Sequence, residues 1–218
     1  MVFSQELITI DENLFLGQGV QRKCYLHPQN HGLCVKILNS PQSKSQIRRI
    51  KSEIDYFKLL IKKNMFFDFI ARYFGAADTN LGRGHVFETV RNYNGQISKS
   101  LDKILEDETF LSKNYNKIFT ALIEFKNKLY DNAVVFRNTS AQNILLKELS
   151  GGAVKFVLID DLGTVNFIAF EYYFKFLAKI RFKRYWDRFI TMIETHNKKP
   201  SALKFAKDLR EDFIKHFS

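Results

Sequence analysis

Phe136-Arg137-Asn138-Thr139-Ser140-Ala141-Gln142-Asn143-Ile144-Leu145-Leu146, followed by Ile159-Asp160-Asp161-Leu162-Gly163, is the stretch around which the rest of the chain organises. An arginine opens a polar loop, an asparagine closes it, and an apolar strand begins at once. Asn143-Ile144-Leu145-Leu146 and Phe156-Val157-Leu158-Ile159 flank the turn signal Ser150-Gly151-Gly152, so a hairpin leads back to Asp161-Leu162-Gly163. Asn143 and Asp161 both offer oxygen, the donor that Mg²⁺ prefers. One Asn and Asp pair is common in any protein. Its meaning depends on what precedes it.

Working outward to the N-terminus, Phe15 to Leu38 reads as strands broken at Gly17-Gln18-Gly19 and at Pro28-Gln29-Asn30-His31-Gly32. Gly17 and Gly19 could let backbone close over phosphates, although Arg22 stands where G-x-G-x-x-G has its third glycine. A plain hairpin turn explains the same two glycines. Lys36 follows in the apolar strand Leu33-Cys34-Val35-Lys36-Ile37. There it is either an outward alternating residue or a buried cation needing a partner. Ile47, Ile50, Ile54, Phe57 and Ile61 then form one helical stripe with Glu53 at its border, so this carboxylate can face the sheet. An exposed Lys and an unrelated helix Glu fit those two residues alone equally well. Another strand is expected around His85-Val86-Phe87-Glu88-Thr89-Val90, whose Glu88 and Val90 complete the nucleotide-binding set of Gly17, Gly19, Lys36 and Glu53. A second amphipathic helix is expected from about Ser112 to Asn132, and the remainder reads as helical.

The ordered series of glycine turn, strand Lys, helix Glu, long helix, loop Asn, hairpin and D-x-G resembles a protein kinase. There the loop motif H-R-D-x-x-x-x-N precedes D-F-G, and a strand Lys pairs with a helix Glu. The resemblance implies a compact two-lobed α+β fold with an antiparallel-sheet N-lobe over residues 1–90. A shortened helical C-lobe over 91–218 carries the catalytic-loop hairpin, the whole forming a single kinase-like domain. It implies ATP and Mg²⁺ as cofactors, Asn143 and Asp161 as metal ligands, and Arg137, Asn138 and Asp160 as the catalytic-loop positions. Two departures stand out. The motif's histidine is Phe136, and its catalytic Asp is Asn138, an amide that cannot accept a proton at neutral pH. The 55 residues after Gly163 hold no A-P-E triplet and little room for a peptide platform.

The wording of the chain is also similar to a bacterial family, the YrbL-type proteins named for a PhoP regulatory network. The similarity lies in Arg22-Lys23-Cys24-Tyr25-Leu26-His27-Pro28 with Cys34-Val35-Lys36-Ile37, and in Arg48-Arg49 with Glu53 and Tyr56. It continues in Gln142-Asn143-Ile144-Leu145 and Arg184-Tyr185-Trp186-Asp187-Arg188-Phe189. It implies a small bacterial cytoplasmic protein in which replacement of the loop Asp is a family trait. Either Asp160 or Asp161 could then face the metal, with Asp161 favoured.

Composition bounds the partners. Hydrophobic residues at 45% and charged residues at 26% describe a globular chain. No apolar run of membrane-spanning length occurs, and Met1-Val2-Phe3-Ser4-Gln5-Glu6 lacks the pattern of a signal peptide. Cys24 and Cys34, without metal-ligand spacing, read as reduced packed thiols. A net charge of +11 favours anionic partners. Much of it lies in Lys175, Lys179, Arg181, Lys183, Arg184 and Arg188, which face only Asp187. A solvated helix face accounts for such a run, and without a nucleic-acid motif specific nucleic-acid binding is not expected. Three functions fit: an atypical phosphotransferase acting on an unidentified protein or small-molecule acceptor, a pseudokinase regulator, and a basic module docking through 175–188 on a membrane face or nucleic acid.

Overall fold

The computed structural model describes residues 7–40, 42–137, 140–164 and 170–217, with only the backbone of Glu171. It divides into two compact units, Met1–Arg91 and Asn92–Ser218.

The first unit is an antiparallel sheet of five strands: β1 (Phe15–Gln18), β2 (Arg22–His27), β3 (Asn30–Leu38), β4 (Tyr73–Thr79) and β5 (Gly82–Glu88), in the spatial order β1-β2-β3-β5-β4. Helix α1 (Lys44–Lys62) connects β3 to β4, its start capped by the Ser43 hydroxyl, which accepts from the Gln46 N–H at 3.4 Å. Strand side chains alternate between faces, so register decides what is buried together. Tyr25 pairs with Val35 and Val35 with Val86, and these residues with Ile10 and Ile37 form the apolar core on one face. Gly84 keeps that face closed. A Cβ there would come within 2.6 Å of Val35 Cγ1. The opposite face carries Arg22, Cys24, Cys34, Lys36, His85 and Phe87, with Phe87 ring-to-ring against Phe57 of α1 at 5.5 Å. The helix stripe is narrower than its spacing predicts. Ile50, Ile54 and Phe57 are buried, but Ile47 and Ile61 at the two ends are exposed.

The second unit begins with a short strand β6 (Lys99–Ser100) and helices α2 (Leu101–Glu106), α3 (Glu108–Lys113) and α4 (Tyr115–Asp131). The helix expected from Ser112 to Asn132 thus starts later, after a break at Asn114. There the Asn114 side-chain amide donates to the Phe110 carbonyl at 2.9 Å and competes with helix continuation. The hairpin β7 (Ile144–Glu148) and β8 (Val154–Leu158) follows, in the sheet order β6-β7-β8, packed on α4 through Phe125 and Phe156. Helices α5 (Lys175–His196) and α6 (Pro200–Phe217) close the unit. Trp186 is fully buried between Phe182 and Phe189, and Arg210 clamps the pair by bonding Asp187 and Glu194. Lys126, wholly buried on α4, is neutralised by Asp212 of α6. The fold is α+β, with an antiparallel-sheet N-terminal unit and a helical C-terminal unit, each built as the kinase-like resemblance implies. No helix among the described residues is long and apolar enough to cross a membrane.

Candidate functional site

The residues singled out from the sequence fall into two groups, one in each unit. In the first unit the β1–β2 turn is closed by the Gly19 N–H donating to the Arg22 carbonyl at 2.9 Å. The Asn39 amide donates to the Gly19 carbonyl at 2.9 Å. A Cβ at Gly17 would meet nothing within 4 Å, so the protein's own packing does not demand glycine there.

Lys36 is buried, as the second of its two sequence alternatives requires, and its ammonium lies 4.7 Å from the centre of the Phe87 ring. Burial holds its pKa below the ordinary lysine value. The neighbouring Arg22 adds to the depression, and Glu53 opposes it. Glu53 is fully buried and is bound by Arg22 at 2.7 Å. The sequence reading noted Arg22 as a missing glycine and as part of the family wording, but not as the partner of Glu53. The signal was present: Arg22 and Cys24 alternate onto one face of β2, and Cys24 pairs with Lys36. His85, opposite Lys36 on β5, is held by burial at a pKa of about 4 and contacts the Tyr73 hydroxyl at 3.2 Å. Glu88 ends β5, exchanging with Arg72 through its N–H at 2.9 Å and its carboxylate at 3.3 Å, and Val90 is buried just beyond.

In the second unit the loop and the D-x-G segment are stitched together by backbone. The Arg137 N–H donates to the Asp161 carbonyl at 2.8 Å, and the Gly163 N–H to that of Val135 at 2.8 Å. The Ile159 N–H donates to the Asn143 carbonyl at 3.0 Å. Asn143 then donates its side-chain amide to an Asp161 carboxylate oxygen at 2.9 Å. The Arg137 guanidinium lies 3.7 Å from the other oxygen. Asp161 adopts a left-handed backbone, φ +62°, rare for a residue with a Cβ and frequent at functional sites. Asp160 is half-buried beside it. Asn138 lies outside the described residues. Phe136, in the histidine position, is buried against Phe182 at 5.6 Å and Tyr185 at 5.7 Å, so it serves the core of the unit.

Mg²⁺ is compatible with this donor set. The Asn143 side chain meets the Asp161 carboxylate through its amide nitrogen, so Asn143 would turn its amide over to present oxygen to Mg²⁺, which ordinarily takes few protein ligands and fills its shell with water and phosphate oxygen. No cluster of three or more His, Cys, Asp or Glu suited to a metal occurs among the described residues. The basic run of α5 is partly consumed inside its own unit. Lys179 lies over the Tyr130 ring at 4.4 Å, Arg181 donates to Thr164 and Tyr185, and Lys183 donates to the Phe217 carbonyl at 3.3 Å.

Residues 8–194 match the family described as PhoP regulatory network protein YrbL. The chain is 28% identical to the YrbL protein of Escherichia coli (strain K12) over 184 residues, 84% of this chain and 87% of that one. The same values hold for the YrbL protein of Shigella flexneri.

Proposed function

We propose that this chain, which belongs to the YrbL family of PhoP regulatory network proteins, binds ATP with Mg²⁺ and acts through the bound state more than through turnover. The observation that carries the reading is the Asn143–Asp161 contact, made from the two ends of the hairpin by residues of the motif spacing. Lys36, backed by Glu53, supplies a desolvated cation for phosphate oxygens. Asn143 and Asp161 supply metal ligands, and bound Mg²⁺ neutralises phosphate charge. Gly17, in β1, and Gly19, in the turn after it, leave backbone that no packing requires to be bare. Arg137 holds Asp161 from behind, and Asp160 is the remaining carboxylate of the segment.

The weak point for phosphotransfer is Asn138. Loss of a general base lowers the rate by about 10² to 10⁴, roughly 3 to 5 kcal/mol of barrier. Phosphoryl transfer depends mostly on positioning and charge neutralisation, so slow transfer to an acceptor hydroxyl survives such a loss. A regulator whose conformation reads nucleotide occupancy needs none of it. The docking reading through 175–188 is less favoured, because Lys179, Arg181 and Lys183 already engage rings, hydroxyls and a carbonyl.

Thermal unfolding with Mg-ATP tests binding. At 100 times the dissociation constant a ligand adds roughly 2.7 kcal/mol, which raises the melting temperature of a chain this size by about 5 to 10 °C. An unmoved curve at millimolar Mg-ATP overturns the reading. ATP turnover of the wild type, Asn138→Asp and Asp161→Ala then separates its two forms. Gain of about tenfold or more in Asn138→Asp identifies a crippled phosphotransferase, and no gain a regulator.

A further inference from the structure

Helix α1 presents two unlike faces. The inner one buries Ile50, Glu53, Ile54, Tyr56, Phe57 and Leu60. The outer one carries Lys44, Arg48, Lys51, Asp55, Lys58 and Lys62, all exposed. These six follow at steps of four, three, four, three and four residues, so they form one straight row along the helix. At 1.5 Å per residue the row is about 27 Å long. Five of its six members are cations, and Asp55 is its one acid.

Helix stability does not ask for such a row. Lys44 with Arg48, Arg48 with Lys51, and Lys58 with Lys62 stand three or four residues apart, where like charges repel. Lys44 opens the helix and no acid occupies the first turn, although the positive end of the helix dipole favours acids there. The lysines of the row hold their charges in water, unlike Lys179 and Lys183 of α5, which lie over the Tyr130 and Phe217 rings. Apolar side chains border the row. Ile47 and Ile61 are exposed along one flank of it. Just past the helix, Asn64 takes a left-handed backbone, φ +53°, and the Met65 N–H donates to the Leu60 carbonyl at 2.9 Å. Phe66 follows that turn and is 60% exposed.

We infer that the outer face of α1 is a docking surface for an anionic lipid bilayer. A plane meets a cylinder along one line, and the cations of α1 lie along one line. A bilayer surface that carries phosphate charge therefore meets all five together. Each Lys or Arg held near such a surface strengthens binding by about fivefold. Ile47, Ile61 and Phe66 are placed to enter the headgroup layer, as apolar residues do in helices that lie on membranes. The phosphates of a nucleic-acid duplex follow a helical path, so a straight row meets fewer of them. The net charge of +11 draws the chain toward the same anionic surface from solution. Docking here uses the face of α1 opposite Glu53 and leaves its pairing with Arg22 covered. It does not rest on nucleotide binding, and its test contains no nucleotide.

The test sediments the full-length protein with phosphatidylcholine vesicles, with and without about one-third phosphatidylglycerol, at about 0.1 M salt. The wild type should bind the anionic vesicles alone. Lys51→Glu combined with Lys58→Glu should weaken binding by about 25-fold or more, two steps of fivefold. Lys175→Glu combined with Arg184→Glu changes the net charge equally from two exposed positions of α5. Salt screens charges that do not touch the surface, so this control should lose less than about threefold. No binding to anionic vesicles, equal losses in the two double variants, or a preference for duplex DNA over the vesicles overturns the proposal. Should the α1 variant fail to fold, acetylation of wild-type lysines decides. Anionic vesicles should slow the reaction of Lys51 and Lys58 by about fivefold or more and leave Lys175 unchanged. Equal protection of the three, or none, overturns the assignment.

Discussion

Each unit holds a carboxylate against an arginine, but the two pairs live in different surroundings. Glu53 is fully buried and bound by Arg22 at 2.7 Å under the cover of α1. Asp161 keeps 16% of its side chain exposed, faces Arg137 at a looser 3.7 Å, and accepts from Asn143. Burial raises the stakes of a charge pair: removing one partner strands the other without water. Partial exposure lowers them and leaves lone pairs that an incoming cation can use. The first pair therefore serves mainly the integrity of its unit, and the second is the more available to a ligand.

The comparison breaks most visibly at Glu53. Glu53→Ala leaves Arg22 and Lys36 buried without their acid, and the loss should be about 3 to 5 kcal/mol. In thermal denaturation the N-terminal unit should melt more than about 10 °C lower. A drop of under about 1 kcal/mol would mean that water or another group already reaches the pair.

Acid sharpens the same contrast. Burial holds the His85 pKa at about 4 against the ordinary 6.5, so the unfolded chain binds the proton first. Stability from the neutral imidazole is complete above pH 6.5 and lost as pH falls toward 4. With allowance for its partial exposure, the wild type should lose about 2 kcal/mol of N-terminal stability between pH 7 and 4.5. His85→Phe, which keeps an aromatic ring, should flatten that part of the profile. Equal slopes for the two proteins would show that folding leaves the His85 pKa unshifted.

Asp161→Asn should cost no more than about 1 kcal/mol, because the hydrogen bond survives and the charge was partly solvated. The same variant should lose the Mg-ATP-dependent rise in melting temperature. The smallest change in stability is expected for Lys36→Met. Replacing a buried cation that Arg22 already opposes with an apolar side chain of similar length should shift stability by under about 1 kcal/mol in either direction. Nucleotide response should vanish with it. A large destabilisation in either variant would erase the distinction between the units.

Much of the fold was legible because its elements carry strong periodic signals. The Ile50, Ile54 and Phe57 stripe and the alternation around Lys36 mark α1 and β3. Strand β4 did not announce itself. Tyr73-Phe74-Gly75-Ala76-Ala77-Asp78-Thr79 has small residues where strands prefer β-branched ones, and it is held by pairing with β5. The candidate residues were found through motif spacing, which orders residues along the chain but says nothing of which cation lies nearest. Hence Arg22 was missed as the partner of Glu53. That Cys24 and Cys34 lie on one face of neighbouring strands was equally invisible, since it depends on a register that only strand pairing supplies.

The left-handed backbone at Asp161 sets how easily that segment can be moved. Holding a residue with a Cβ there costs roughly 1 to 2 kcal/mol, and a hydrogen bond to a charged carboxylate such as the one from Asn143 returns about 1.5 to 3 kcal/mol. The Arg137 N–H bond to the Asp161 carbonyl adds to the hold, so the strained peptide is kept by its partners and not by its own preference. A metal or phosphate that drew away the Asn143 amide would remove one of those supports.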